Sequence, residues 1–312
     1  MVHVGLIGRW ISMERKGCHT NDENRRARMN RAAHLERIAE VLDGEAGGAK
    51  VPYPIGLREV TVLDTRMIGS GLRRLTFGGP ELAGFESHAP TEHVRLIYPD
   101  PDGALRLPEQ VDLALKWPRP LPISREYTVR RYDAAAGELD IDFALHPGGH
   151  AAEWAAAATP GTRVYIAGPP GGLVVPFTYD RYLLAGDITA LPAIARWLEA
   201  LPADAAGWAF IEVIDESEQI ELSAPAGVEV RWLHRGDVAP GCSDLLERAV
   251  RGVALPEGER IYAWIAAEAG VVRPLRRWVR EVLRAKPGDS DVTAYWKRGH
   301  ADFDEDHEAD AE

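Results

Sequence analysis

Arg125 and Tyr127, two residues apart in the run LPISREYTVR at 121–130, pair a guanidinium with an aromatic ring. In an extended strand, alternation sets these two on one face and Glu126 and Thr128 on the other. Arginine grips phosphate through two parallel hydrogen bonds, and a phenol ring stacks on a flat heterocycle. The pair therefore suits a ligand with both a pyrophosphate and a planar ring system. Alone, it describes equally well an edge strand with an exposed arginine and a half-buried tyrosine. A second set of polar residues follows short apolar runs later in the chain: Asp187 and Thr189 after 182–185, Asp215 after 208–214, His234 and Arg235 after 228–233, Glu268 after 261–266, and Lys297 and Arg298 after 292–296. Each alone is an ordinary loop residue. At the ends of five strands of one sheet, they share an edge.

Two different rhythms must position these groups. From 57 to about 176, six candidate strands (59–64, 72–77, 93–98, 124–132, 138–144 and 163–167) are separated by Gly/Pro-rich turns, which suits a small antiparallel Greek-key barrel. From 181 onwards, strands alternate with helices at 191–201, 243–252 and 271–285. That pattern predicts a doubly wound parallel sheet, which binds ligands at the carboxyl ends of its strands. No Gly-x-Gly-x-x-Gly follows the first of these strands, where Gly186-Asp187-Ile188-Thr189-Ala190 stands instead, and this argues against an ordinary Rossmann dehydrogenase. Between the two regions, His146-Pro147-Gly148-Gly149-His150 leads into an Ala-rich helix at 151–158. A glycine turn feeding a helix start presents free backbone N–H groups to a pyrophosphate. The two histidines lack a nearby Cys or carboxylate partner for a metal.

Residues 1–50 look like an appendage. Thr20 to Glu23 has capping-box form, and Met29, Ala32, Leu35, Ile38, Ala39 and Leu42 recur at helical spacing, predicting an amphipathic helix over about 21–43. Arg25, Arg26, Arg28 and Arg31 make its first turns basic, as a solvated face or as a docking surface for an anionic partner. Residues 44–50 read as linker, and the acidic 301–312 as a disordered tail. The expected organisation is thus a helical extension (1–50), a barrel (51–176), an α/β domain (177–300) and the tail.

The 312 residues are 46% apolar and carry a net charge of −12, enough to bury a large core and opposed to general nucleic-acid binding. Cys18 and Cys242 offer neither a disulfide framework nor a four-ligand metal site. With no apolar run long enough to span a bilayer and no secretory leader, a cytoplasmic location without membrane association is expected.

Several short motifs occur in a specific order: EHVRL at 92–96, REYTVR at 125–130, DIDFALH at 140–146, AGP at 167–169, LLAGD at 183–187 with TALPA at 189–193, WIAAE at 264–268 and YWKRG at 295–299. From about 57 to 300 the chain resembles the siderophore-interacting proteins, the NAD(P)H-dependent ferric-siderophore reductases among the ferredoxin-reductase-like flavoproteins. The resemblance implies a β plus α/β fold, with a barrel that binds FAD and a sheet domain that binds NADH or NADPH. Arg125 would hold the pyrophosphate, Tyr127 would stack on the isoalloxazine and the Thr128 hydroxyl would sit near its N5. Asp142, His146, Gly148, Gly149, Ala151 and Gly168 are implied as further flavin contacts; Asp187, Thr189, Ala190, Glu268 and Trp296 would complete the cofactor site.

For an anionic ferric siderophore, a local cluster of cations must override the charge of the body. Lys116 and Arg130 flank the flavin strand, and Lys297 and Arg298 end the sheet facing it, so these four would form an open basic bowl. The chain departs from the family pattern at four positions. Pro170 and Gly172 replace the usual Arg and Ser on the adenosine side. Ile188 replaces Glu, and Ala267 replaces a Gly that gives the nicotinamide ribose room. A general flavin reductase or diaphorase, and a flavin or siderophore carrier without turnover, are the alternatives.

Overall fold

The computed structural model describes residues 31–44, 47–300 and 303. Helix α1 (Arg31–Leu42) precedes β1 (Ala49–Pro52), β2 (Leu57–Ile68), β3 (Leu72–Gly78), β4 (His93–Ile97), a hairpin of β5 (Glu109–Val111) and β6 (Ala114–Lys116), β7 (Ser124–Thr128), β8 (Arg131–Asp133) and β9 (Glu138–Ala144). Next come α2 (His150–Ala157), β10 (Arg163–Ala167) and β11 (Gly171–Val174). The second half runs β12 (Arg181–Asp187), α3 (Leu191–Ala200), β13 (Ala206–Val213), β14 (Gly227–His234), α4 (Leu245–Arg251), β15 (Ile261–Glu268), α5 (Ala269–Trp278) and β16 (Ser290–Trp296).

The first sheet has the order β7-β4-β10-β2-β3-β9-β8, with every pair antiparallel. The single strand expected over 124–132 is two strands. β7 pairs with β4, the chain turns at Val129 and Arg130, and β8 pairs with β9. At the corner, Val129 N donates to the Glu92 carbonyl and Arg130 N to the Asp140 carbonyl, both at 2.9 Å. The two end strands of the sheet are therefore consecutive pieces of chain, and this corner curls the sheet into a barrel-like form. Alternate side chains (Val60, Val62, Leu75, Phe77, Val94, Leu96, Ile141, Phe143) fill it, and Ala151 and Ala155 of α2 join the same core.

The second sheet is parallel, in the order β14-β13-β12-β15-β16. Its central strands β12, β13 and β15 are buried on both faces, so successive side chains of β12 serve opposite cores. Tyr182 and Leu184 pack with Trp197 of α3, while Leu183 and Ala185 pack with Leu246 of α4 and Leu275 of α5. A loop with one 3-10 turn, not a helix, joins β13 to β14.

Barrel and sheet meet directly. Leu72 of β3 joins the core beneath α3. Arg130 forms a two-pronged ion pair with Glu199 of α3 at 3.0 and 2.6 Å, and Arg196 of α3 donates to the Val129 carbonyl at 2.7 Å.

The extension is built into this body rather than tethered to it. β1 pairs antiparallel with β11, and Ile38, Val41, Val51, Tyr53 and Val174 form a small core of their own. The glycine-rich stretch read as linker is glycine for a packing reason. Gly48 N donates to the Gly288 carbonyl at 2.7 Å, and a Cβ on Gly47 would lie 2.6 Å from the carbonyl carbon of Gly288. α1 is also rotated from the expected face: His34, Ile38 and Val41 are buried, whereas Leu35, Ala39 and Leu42 are exposed. Arg25, Arg26 and Arg28, and the proposed disordered tail apart from Phe303, lie outside the described residues. Among the described residues, no helix is long and apolar enough to cross a membrane.

Candidate active site

On β7 the alternation holds. The Tyr127 ring packs on Phe143 with centroids 4.3 Å apart, and Arg125 donates to the Ser124 carbonyl at 2.7 Å. The hydroxyl of Tyr98 is close by, and the Tyr98 ring sits 5.3 Å from both His150 and Trp154 of α2. Burial pushes the Tyr127 phenol up to about 12, with the Arg125 charge pulling against it. Burial likewise raises Tyr98, and Arg125 again opposes the shift. A cation, two un-ionised phenols and the start of α2 thus share one side of β7. α2 begins after Gly149, whose extended backbone contributes no side-chain cap, so its first N–H groups are available to an anion. Gly148 has φ of 76°, where only glycine is unstrained, and a Cβ on Gly149 would run into the His146 ring. Ala151 is buried, so only its backbone can reach a ligand.

The opposite side of β7 faces two ways. Glu126 pairs with Arg95 and lies 3.7 Å from His93. Burial would raise its carboxyl, but the neighbouring Arg95, with His93, outweighs it and holds the group below the ordinary range. With Ile55, Ala167, Gly168 and Pro170 they line a narrow cleft. Thr128 is buried against Tyr295 of β16, whose phenol is raised by burial and by Asp291, while the Thr128 hydroxyl opposes the shift. Tyr295 therefore brings the parallel sheet to β7. The sequence reading picked its neighbour. Trp296 turns the other way and donates from Nε1 to Asp187 Oδ2 at 2.8 Å.

The carboxyl edge of the sheet is a network that satisfies itself. Asp187 Oδ1 accepts from Thr189 N at 2.9 Å and from its hydroxyl at 2.5 Å. Burial raises the Asp187 carboxyl in spite of these donors and Trp296. Ala190 is wholly buried. Glu268 caps α5, accepting from Gly270 N at 2.5 Å and Val271 N at 3.3 Å, and its other oxygen accepts from Arg298 N at 3.0 Å. Sequence reasoning missed Glu212, the register partner of Asp187 on β13. It too is buried and raised, chiefly by desolvation, with Ser243 opposing and Asp187 adding to the shift. Its position at the end of an apolar strand was the available signal.

Several expected contacts are engaged elsewhere. Both oxygens of Asp142 accept from Arg74, at 2.6 and 2.8 Å, so this residue ties β9 to β3 instead of reaching outward. Arg130 is held by Glu199 and is not an uncommitted charge in a bowl. Lys116 is exposed at the end of β6, 3.8 Å from Glu109. Lys297 and Arg298 follow β16, and the Arg298 guanidinium contacts the Cys242 thiol.

Three of the four departures have packing explanations. Ile188 meets Gly71 of the barrel, and Ala267 lies inside the core under α4 and α5. A Cβ on Gly172 would lie 2.7 Å from the Tyr53 hydroxyl, and Tyr53 N donates to the Pro170 carbonyl at 3.1 Å. The extension thus covers the segment where the family places Arg and Ser.

Comparison with known proteins agrees with this arrangement. The profile of the siderophore-interacting FAD-binding domain matches residues 61–173, and that of the siderophore-interacting protein matches residues 179–299. The ferric vibriobactin reductase ViuB of Vibrio cholerae is 34% identical over 242 residues, covering 75% of this chain and 87% of ViuB. The NADPH-dependent ferric-chelate reductase of Escherichia coli is 34% identical over 251 residues, covering 79% of this chain and 95% of the relative. A siderophore utilization protein from T. fusca, of known crystal structure, superposes with a TM-score of 0.78 at 40% identity, covering 82% of this chain and 98% of the other.

Proposed function

This chain belongs to the siderophore-interacting protein family, and we propose that it reduces ferric iron held in a siderophore, with electrons drawn from NAD(P)H through FAD. One observation carries the reading: Arg125 and Tyr127 share a side of β7 with the uncapped start of α2, while Thr128 on the other side meets Tyr295 of the parallel sheet. When bound, FAD supplies the ability to accept two electrons together and release them singly.

The residues present fit that cofactor. Arg125 and the N–H groups of Gly149, His150 and Ala151 would hold its pyrophosphate, the Arg125 fork supplying directed charge and the helix start its dipole. Tyr127, kept un-ionised by burial, offers a ring face to a flat heterocycle. The buried Thr128 hydroxyl would orient the ring edge at the seam, and Tyr295 would exclude water there. Asp187 and Glu268 are too engaged to bind a nicotinamide directly; their part is to fix the loops at 187–190 and 268–271 that would receive it.

Chelated Fe(III) is the substrate. Hard oxygen ligands hold Fe(III) far more tightly than Fe(II), so one electron loosens the chelate. An exposed ring edge suffices for transfer, and the remaining basic residues, Lys116, Lys297 and Arg298, would draw an anionic chelate to it. The same reading puts the reaction in the cytoplasm, which supplies reduced nicotinamide.

Anaerobic titration tests the reading. The purified protein should show a flavin spectrum that NADH or NADPH bleaches and a ferric catecholate restores. A flavin that stays yellow with both nicotinamides would leave a carrier instead. Charge reversal at Lys116 and Lys297 should raise KM for the anionic chelate several-fold and leave turnover with a neutral dye acceptor unchanged. Equal losses with both acceptors would count against steering.

A further inference from the structure

Away from the flavin strand, the extension and the barrel bring together two imidazoles and a carboxylate. His34 of α1 places Nε2 2.8 Å from Oε2 of Glu86, and His88 places Nε2 3.6 Å from the same oxygen. One ligand atom from each of the three lies within 4.8 Å of the others. We propose that His34, Glu86 and His88 form a binding site for a divalent first-row transition ion of the Zn2+ and Fe2+ class, which pins α1 to the barrel.

Two histidines and one carboxylate are the donor set such ions prefer, and three protein ligands leave a position for water. A tetrahedral ion bound at about 2.0–2.2 Å would hold its donors roughly 3.3 Å apart. The two spacings to Glu86 bracket that value, and all three ligand atoms lie within 4.8 Å of one another, so small side-chain adjustments would bring them onto one ion.

The surroundings are those of a prepared site. Glu86 and His88 flank Ser87, so an extended segment presents both to the same side. That segment is clamped from behind by Glu92, which is fully buried and accepts from Ser87 Oγ at 2.6 Å, His88 N at 2.8 Å and Ala89 N at 2.9 Å. Glu92 also accepts from the Tyr53 hydroxyl at 2.8 Å, and the Tyr53 ring lies 5.1 Å from His34 and 5.6 Å from His88. One tyrosine thereby packs against both imidazoles and limits how far either ring can turn. His34 itself is only 4% exposed, yet its Nδ1 has no partner. Coordination at Nε2 would replace the ring's single hydrogen bond to Glu86 with a stronger bond and so offset more of the cost of desolvating it, while Nδ1 lies outside the ligand set.

Calorimetric titration of the full-length protein with Zn2+ tests the proposal. The expected result is uptake of one equivalent and a raised Tm. Because removing the buried His34 risks undocking α1, the variants are His88→Ala and Glu86→Gln, at partly exposed positions. With circular dichroism unchanged, each should weaken uptake by more than about 100-fold and abolish the Tm shift. Failure to take up one equivalent, or uptake that survives both variants, overturns the site.

Discussion

Asp187 and Glu212 lie side by side at the ends of β12 and β13, and burial raises both carboxyls. A raised folded-state pKa means that the native protein holds the proton more tightly than the unfolded chain. Their contribution is therefore complete below the ordinary carboxylate range, about pH 4, and is lost as pH rises through their raised values. Glu212→Gln removes one of these titrations. Its urea midpoint should accordingly fall less than that of the parent between about pH 4 and pH 8. An unchanged pH dependence would contradict a buried, titrating Glu212. At this scale the sequence was readable where neighbours along the chain decide the outcome. Period-two alternation was enough to set Arg125 beside Tyr127. It did not disclose that Asp142 answers to Arg74 or Arg130 to Glu199, because those partners lie 68 and 69 residues away.

Among the elements, α5 depends on Glu268 twice, as its N-cap and as the acceptor that holds Arg298 N after β16. Glu268→Ala should cost about 1–2 kcal/mol in urea unfolding. A loss near zero would mean that water replaces the cap. Strand and helix identities followed from hydrophobic period, and the parallel order from strand–helix alternation. The short strands β1, β5, β6 and β11 escaped that logic, and so did two larger features. The break at Val129 and Arg130 occurs inside an uninterrupted strand-like run, since the change of partner is decided by β4 and β9 rather than by local propensity. The burial of α1 on its His34 side was hidden because an apolar alternative, Leu35 with Leu42, lies one position away and is exposed instead. A polar residue wins the buried face only because Glu86 and Tyr53 await it.

Across the whole molecule, the Arg130–Glu199 pair and the Arg196 contact to Val129 join the halves. A double-mutant cycle of Arg130→Ala and Glu199→Ala should give a coupling of about 1 kcal/mol, smaller at high salt because Glu199 is partly exposed. A coupling indistinguishable from zero would show that the apolar contact around Leu72 and the Arg196 contacts set the interface without this pair. Two of the groups that meet α3 from the barrel, the Val129 carbonyl and the Arg130 guanidinium, belong to the same two-residue corner, where β7 runs into β8. Closure and alignment are consequently one choice. An added residue there would slip one barrel seam by a pleat and swing the hinge on which the reductant arrives. Any relative with a longer corner would have to present its coenzyme at a new angle.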